Sequence, residues 1–373
     1  MLLLTVAWVN AWAQGESTVT ERNSSAPISI QYLTQRNYDS SLRVARKLGD
    51  FEGYSSYAVE WESDGLRLSA LMNVPAAPAP PDGYPILIMN HGNAGNEWAA
   101  FRDFYSSDQD SASYRERVSA WPIIRFALEG FVVLFPDYRG HGFSETNGQH
   151  SGFWQLDRHG NRIRNSAGEF VPRVMDNDGL RFNGWLYTAY YTIDVLNLVA
   201  ALSSFEDPPE GLEIDRDNLF LWGRSLGGDV TARAFTVGDR IAAASLWVPA
   251  TTSLWDQAHH YQYDSPCCAD GFIMEVLFVE LQTYNTVHKT NLVARDLNPS
   301  NFVDQVNNPV IVQVTIDDTG VRSAWGIQYH HQLSEYGVTT ELRVYPGNAH
   351  VFSGDLLERA IQADLAFFRS HMR

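Results

Sequence analysis

Short, almost wholly apolar runs recur along this chain, and longer segments with apolar residues three and four apart separate them. The runs Ile86–Met89, Phe131–Phe135, Leu219–Trp222, Ala242–Val248, Val310–Thr315 and Thr340–Tyr345 predict strands. Helices are predicted near Glu116–Leu128, over about Leu186–Leu202, from Ser225 onward, near Ala324–Tyr336, and at the end of the chain as far as His371. A strand without polar alternation is buried on both faces. The pattern therefore predicts an α/β protein with a mostly parallel central sheet and helices on both faces. Ahead of this core, Tyr57–Glu62 and Leu66–Val74 alternate around Ser63-Asp64-Gly65 and predict a hairpin.

The remaining segments set the domain organisation. Leu2–Trp12 is a short apolar run followed by Ala11-Trp12-Ala13, the form of a secretory signal over residues 1–13, so a secreted or periplasmic location is expected. Residues 14–55 are polar and poorly periodic and predict an N-terminal extension. One large α/β domain is expected over 56–373, with a stiff connector at Pro75–Pro81. Two stretches, about 146–183 and 251–308, are too long for ordinary connections and predict insertions that form a cap.

Composition narrows the function. Against 27 Lys and Arg stand 44 Asp and Glu, a formal charge of -17, which repels phosphate backbones and anionic lipid. No nucleic-acid partner and no membrane span are expected. Two cysteines in 373 residues form neither a disulfide framework nor a Cys-rich zinc site. They are adjacent, Cys267-Cys268, either a vicinal disulfide in an exported protein or two thiols. His259-His260 and His330-His331 lack carboxylate or cysteine partners at ligand spacing, so no metal site is expected. Asp176-Asn177-Asp178-Gly179 fails as a calcium loop, with Val174 and Trp185 at its first and twelfth positions.

The chemistry concentrates at Gly223-Arg224-Ser225-Leu226-Gly227-Gly228, directly after a predicted strand and before a helix. Glycine two residues to either side of a serine permits a turn tight enough to lift the hydroxyl clear of the sheet. That hydroxyl needs a base, and the base an orienting acid, in the chain order Ser, acid, His. Asp317-Asp318 follows one late strand and His350 follows the next. Taken alone His350 is an ordinary loop histidine; three groups in order, each after its own strand, predict a triad. The oxyanion donors expected are the backbone N–H groups of Leu226 and of Asn93, the latter in Asn90-His91-Gly92-Asn93, where Gly92 permits close approach. His91 is read as structural.

On these residues, with Pro136–Ser144, Leu297-Asn298-Pro299-Ser300 and Tyr345–His350, the chain resembles the α/β-hydrolases, most closely the stand-alone hydrolases grouped with the prolyl oligopeptidase catalytic domain. The resemblance implies the α/β-hydrolase fold, a serine nucleophile and no cofactor. Its His-Gly-x-x-Asp-x-x-Val pattern, in register with Val321, selects Asp318 over Asp317, although Val314-Thr315 replaces the usual His-Gly. It also implies that Asp137 and Arg139 brace the site as ion partners. The expected reaction is hydrolysis of a small carboxylic ester by Ser225, His350 and Asp318 through an acyl-enzyme. The alternatives are a peptidase acting on short peptides and a non-catalytic binding protein of the same fold. Fewer than 60 residues precede the first predicted strand, too few for the propeller that oligopeptidases carry. Trp247, Trp255, Tyr261, Tyr263 and Phe272 are expected in the core of the cap or along a pocket.

Overall fold

The computed structural model describes residues 26–92, 122–141, 143–145, 166, 186–250, 252–260, 263 and 273–373. Residues 1–13, the strand-like stretches of the first insertion, Asn93, Tyr261, Cys267, Cys268 and Phe272 lie outside the described residues. Helix α1 (Ile30–Gln35) leads into strands β1 (Leu42–Phe51), β2 (Tyr54–Ser63), β3 (Leu66–Pro75) and β4 (Tyr84–Asn90). Then come α2 (Ile123–Leu128), β5 (Val132–Asp137), α3 (Tyr187–Ala201), β6 (Phe205–Glu206), β7 (Ile214–Arg224), α4 (Leu226–Val237) and β8 (Ala243–Trp247). Helices α5 (Leu254–His259) and α6 (Ile273–His288) precede β9 (Val310–Thr315), α7 (Ser323–Glu335), β10 (Thr340–Tyr345) and α8 (Gly354–Ser370).

One ten-stranded sheet runs in the order β10-β9-β8-β7-β4-β5-β3-β2-β1-β6. From β10 to β5 every neighbour is parallel; β5 to β1 is antiparallel. Strands β4, β5, β8 and β9 are mostly apolar and buried on both faces, whereas the edge strand β10 carries Glu341 and Arg343. Ile86, Ile88, Leu219, Leu221, Leu246 and Val312 enter one core with α3 and α4. Leu87, Met89, Phe220, Trp222, Trp247 and Ile311 enter the other, under α2 and α8. The β2–β3 hairpin turns at Asp64 and Gly65, both at positive φ (52° and 76°), the backbone of a two-residue type I′ turn.

Within the N-terminal extension predicted over 14–55, residues Leu42–Phe51 form β1 and pair into the sheet. Two register shifts in its pairing with β2, between Val44 and Arg46 and between Lys47 and Gly49, break the period-two alternation that would mark a strand in the sequence. The second insertion is helical in its described parts. It packs α5 and α6 against α1 and the start of α3, around Leu33, Leu186, Ile193, Leu254, Leu277 and Leu281. Trp247 is not part of it, being the last residue of β8 and fully buried in the core of the sheet. Tyr263 is exposed. Among the described residues no helix is long and apolar enough to cross a membrane.

Candidate active site

Because six strands run parallel, their carboxyl ends gather at one edge. The chain crosses from β4 outward to β5 and then back to β7 beside β4, so a crevice opens between the ends of β4 and β7. Asn90 pairs with Gly223 there, and Ser225 follows one residue beyond β7. Ser225 has φ 57° and ψ −123°, a conformation a non-glycine residue adopts only when its surroundings hold it. They do: its N–H donates to the Trp247 carbonyl (3.0 Å), and its own carbonyl accepts from Gly228 (2.9 Å) and Ala250 (2.8 Å). A Cβ on Gly227 would lie 2.0 Å from the Asn90 carbonyl oxygen, so the elbow closes against β4 only with glycine there. Val248 is a second strained residue, at φ 37°, with its N–H on the Gln313 carbonyl (2.7 Å).

Around Ser225 the late loops converge. His350 Nε2 lies 3.0 Å from Ser225 Oγ, and His350 Nδ1 lies 3.0 Å from each carboxylate oxygen of Asp318. With Nδ1–H donated to the carboxylate, Nε2 is left as the acceptor for the serine hydroxyl. The Asp318 side chain is fully buried, and its Oδ1 also accepts from the N–H groups of Gly320 (2.6 Å) and Val321 (3.0 Å). Asp317 is exposed, and its N–H donates to the Gly347 carbonyl, so it ties the acid loop to the histidine loop instead of facing the imidazole. The geometry thus brings Asp318, not Asp317, to His350. Thr315, one of the two residues replacing His-Gly, donates its hydroxyl to the Ala349 carbonyl (3.0 Å) and holds the residue before the histidine.

Leu226 is the first residue of α4, and the first N–H groups of a helix have no acceptor within it. Its N–H therefore lies at the positive end of the helix dipole, directly after Ser225 in the chain. The other expected donor, Asn93, lies outside the described residues. Gly92 before it packs against the elbow: a Cβ there would be 3.2 Å from Ser225 Cβ. His91 is buried, donates Nδ1–H to the Gly92 carbonyl (2.8 Å) and meets the Tyr138 ring at a tilt, centroids 4.0 Å apart. Burial, reinforced by His141, holds its imidazole well below the ordinary histidine range, so it is neutral and structural.

The loop after β5 braces this floor, with different partners from those expected. Arg139 pairs with Asp194 of α3 (2.6 Å) and Asp64 (3.4 Å), not with Asp137. Asp137 instead accepts from Ser69 Oγ (3.1 Å) and the Phe143 N–H (3.3 Å), and burial pushes it up to about 7. Asp137 ends β5 opposite Ser69 of β3, whereas Arg139 lies beyond the strand and turns to Asp194 of α3.

Comparison with known proteins bears on the arrangement. A family profile described as alpha/beta hydrolase fold matches residues 190–354, the span holding the elbow, Asp318 and His350. The chain has the α/β-hydrolase fold. An acetyl xylan esterase from Paenibacillus sp. R4 aligns with a TM-score of 0.59 at 15% identity, covering 92% of this chain and 92% of that one. Acetyl xylan esterase 1 from Thermoanaerobacterium sp. JW/SL YS485 aligns with a TM-score of 0.54 at 12% identity, covering 92% and 96%. An acylaminoacyl peptidase from Pyrococcus horikoshii aligns with a TM-score of 0.51 at 16% identity, covering 86% of this chain but 42% of the peptidase. A search of curated protein sequences gives no match.

Two features of the site carry no signature in the sequence. The 248–250 loop that clamps Ser225 has no motif; a β-branched residue at positive φ is visible only in coordinates. Leu297–Ser300 is recognisable, but its work is not: the Asn298 side-chain oxygen accepts the Leu254 N–H (3.0 Å), Ser300 donates to the Thr252 carbonyl (3.1 Å), and Arg233 donates to the Leu297 carbonyl. The motif fastens both ends of the second insertion to α4.

Proposed function

We propose that this hydrolase cleaves carboxylic esters with Ser225 as nucleophile, His350 as general base and acid, and Asp318 as the orienting acid. The observation that carries the reading is the continuous hydrogen-bond path Asp318–His350–Ser225, each step 3.0 Å, ending on a serine in a strained turn. Ser225 Oγ attacks the acyl carbon while its proton passes to His350 Nε2. Asp318 stabilises the imidazolium through Nδ1–H without taking the proton. The new oxyanion is held by the Leu226 N–H and, in this proposal, the Asn93 N–H. Collapse breaks the acyl–oxygen bond, and His350 returns the proton to the departing alkoxide. Water, deprotonated by the same histidine, then releases the acid and restores Ser225.

An ester needs little more than this. Its alkoxide leaves more readily than an amine, and its carbonyl is less resonance-stabilised than an amide. The two esterase structures are matched over nearly their whole length, the peptidase over less than half of its own, which favours the ester reading and makes acetyl esters the first class to test. The test compares kcat/KM on p-nitrophenyl acetate, acetylated xylan, and alanyl and prolyl p-nitroanilides and unactivated dipeptides. Turnover of the natural acetyl ester well above any peptide is expected. Robust cleavage of unactivated peptides with no turnover of natural esters would replace the ester reading with the peptidase one.

A further inference from the structure

Beneath the triad, on the α8 side of the sheet, lies a buried carboxylate that the proposed mechanism does not use. Asp364 is fully buried on α8. Its Oδ1 accepts from Ser245 Oγ (2.7 Å) and Gln313 Nε2 (2.5 Å), and its Oδ2 from Trp247 Nε1 (2.8 Å). An indole N–H and an amide NH₂ can only donate, so two of these contacts require acceptor oxygens in fixed directions. Aliphatic side chains would fill the same volume without the penalty of removing a carboxylate from water. What the carboxylate adds is orientation.

Two of its partners, Trp247 and Gln313, lead on to the triad. Trp247 ends β8, and its carbonyl holds the Ser225 N–H. The Trp247 ring stacks at 4.9 Å on Phe352, two residues beyond His350, and meets Trp222 of β7 edge-on at 5.0 Å. Gln313 sits on β9, the strand that runs to Asp318; its carbonyl takes the Val248 N–H, and its side-chain oxygen accepts from Tyr345 OH (2.6 Å). Tyr345 ends β10, five residues before His350. One carboxylate thus joins the ends of β8, β9 and β10 from below.

We propose that Asp364 is a positioning residue for hydrolysis, holding the three strand ends that carry Ser225, Asp318 and His350 in mutual register through Trp247, Gln313 and Tyr345. The proposal rests on the serine-hydrolase reading above. Asp364 touches no substrate; it acts through the angle of the Trp247 indole and the Gln313 amide. Its loss displaces the reacting groups by fractions of an ångström, which lowers the chemical rate more than substrate binding.

The test is steady-state hydrolysis of p-nitrophenyl acetate by the wild type, Asp364→Asn, Trp247→Phe and the double variant, with Ser225→Ala in parallel. Asp364→Asn keeps the volume but sets an NH₂ group against obligate donors. Trp247→Phe removes the indole N–H and keeps an aromatic ring. The expected result is a kcat roughly 10- to 100-fold lower in Asp364→Asn at temperatures well below its melting point, with KM within about threefold. The double variant should be no slower than Asp364→Asn, because both changes cut one connection. Near-UV circular dichroism should change in the tryptophan bands of both single variants. An unchanged kcat in folded Asp364→Asn, or losses that multiply in the double variant, would overturn the proposal. Should Asp364→Asn fail to fold, Trp247→Phe and Tyr345→Phe decide: a kcat loss at constant KM supports it, and wild-type kcat in both overturns it. Hydrolysis surviving in Ser225→Ala would instead sink the serine reading. An inactive Ser225→Ala beside a fully active Asp364→Asn removes this proposal alone.

Discussion

Replacing Gly320 by alanine should disable the hydrolase without unfolding it. Gly320 lies two residues after Asp318 and donates its N–H to that carboxylate. A Cβ built on it would fall 2.4 Å from His350 Cγ, 2.6 Å from Cδ2 and 2.7 Å from Nδ1. Ordinary contact begins near 3.4 Å, so the imidazole must retreat by about 1 Å. It has two ways to do so, and each breaks something. Sliding toward solvent lengthens the 3.0 Å contact from Nε2 to Ser225 Oγ; tilting breaks the paired 3.0 Å contacts to Asp318. A misplacement of about 1 Å between reacting groups costs on the order of 10²-fold in rate. The fold should be indifferent, because Gly320 is exposed and lies on a surface turn beside a partly exposed ring. The assay is kcat/KM on p-nitrophenyl acetate alongside thermal unfolding. A loss of about 10²-fold with a nearly unchanged melting temperature is expected. Activity within about threefold of wild type would mean that the imidazole works from some other position, and the argument from contact distance would be wrong.

Asp318→Asn should lower kcat by roughly 10³- to 10⁴-fold while folding normally, because the amide favours the wrong histidine tautomer, and Asp317→Asn should lose far less; the opposite ranking moves the acid. Stability should respond to pH through the buried acids Asp137 and Asp364, both pushed up to about 7 by burial. An acid that holds its proton more tightly folded than unfolded costs stability once pH passes the unfolded value, and the cost grows until about pH 7 and then levels. Asp364→Asn should therefore flatten the fall of the melting temperature between about pH 4 and pH 7, and an unaltered slope would contradict the assigned ionisation. Gly227→Ala should abolish soluble, active protein, since its methyl would meet the Asn90 carbonyl; an active, stable variant would refute the reading of the elbow.

Much of this site can be read from residues because chemistry and turn geometry constrain residue type locally. The elbow needs glycines flanking Ser225, and Ser225, Asp318 and His350 each follow a strand of their own in the chain. The antiparallel flank was harder. β1 hides behind its two register shifts, and Arg43, Arg46 and Lys47 on it read as loop although their backbone pairs with β2. Partners of buried charges were harder still. Arg139 finds Asp194 across 55 positions and Ser245 finds Asp364 across 119, distances at which no periodicity links one residue to another. Thr315 shows the same limit, since its departure from the family pattern gained a meaning only when its hydroxyl was seen on the Ala349 carbonyl.

The central claim is that Ser225 is the nucleophile, and covalent labelling addresses it directly. A fluorophosphonate added to the folded protein should form one adduct, located by mass spectrometry on the peptide containing Ser225, with hydrolysis lost in step with labelling. Ser225→Ala should take up no label and lose roughly 10³-fold or more in kcat. Stoichiometric labelling of another residue, or undiminished turnover by Ser225→Ala, would contradict the account.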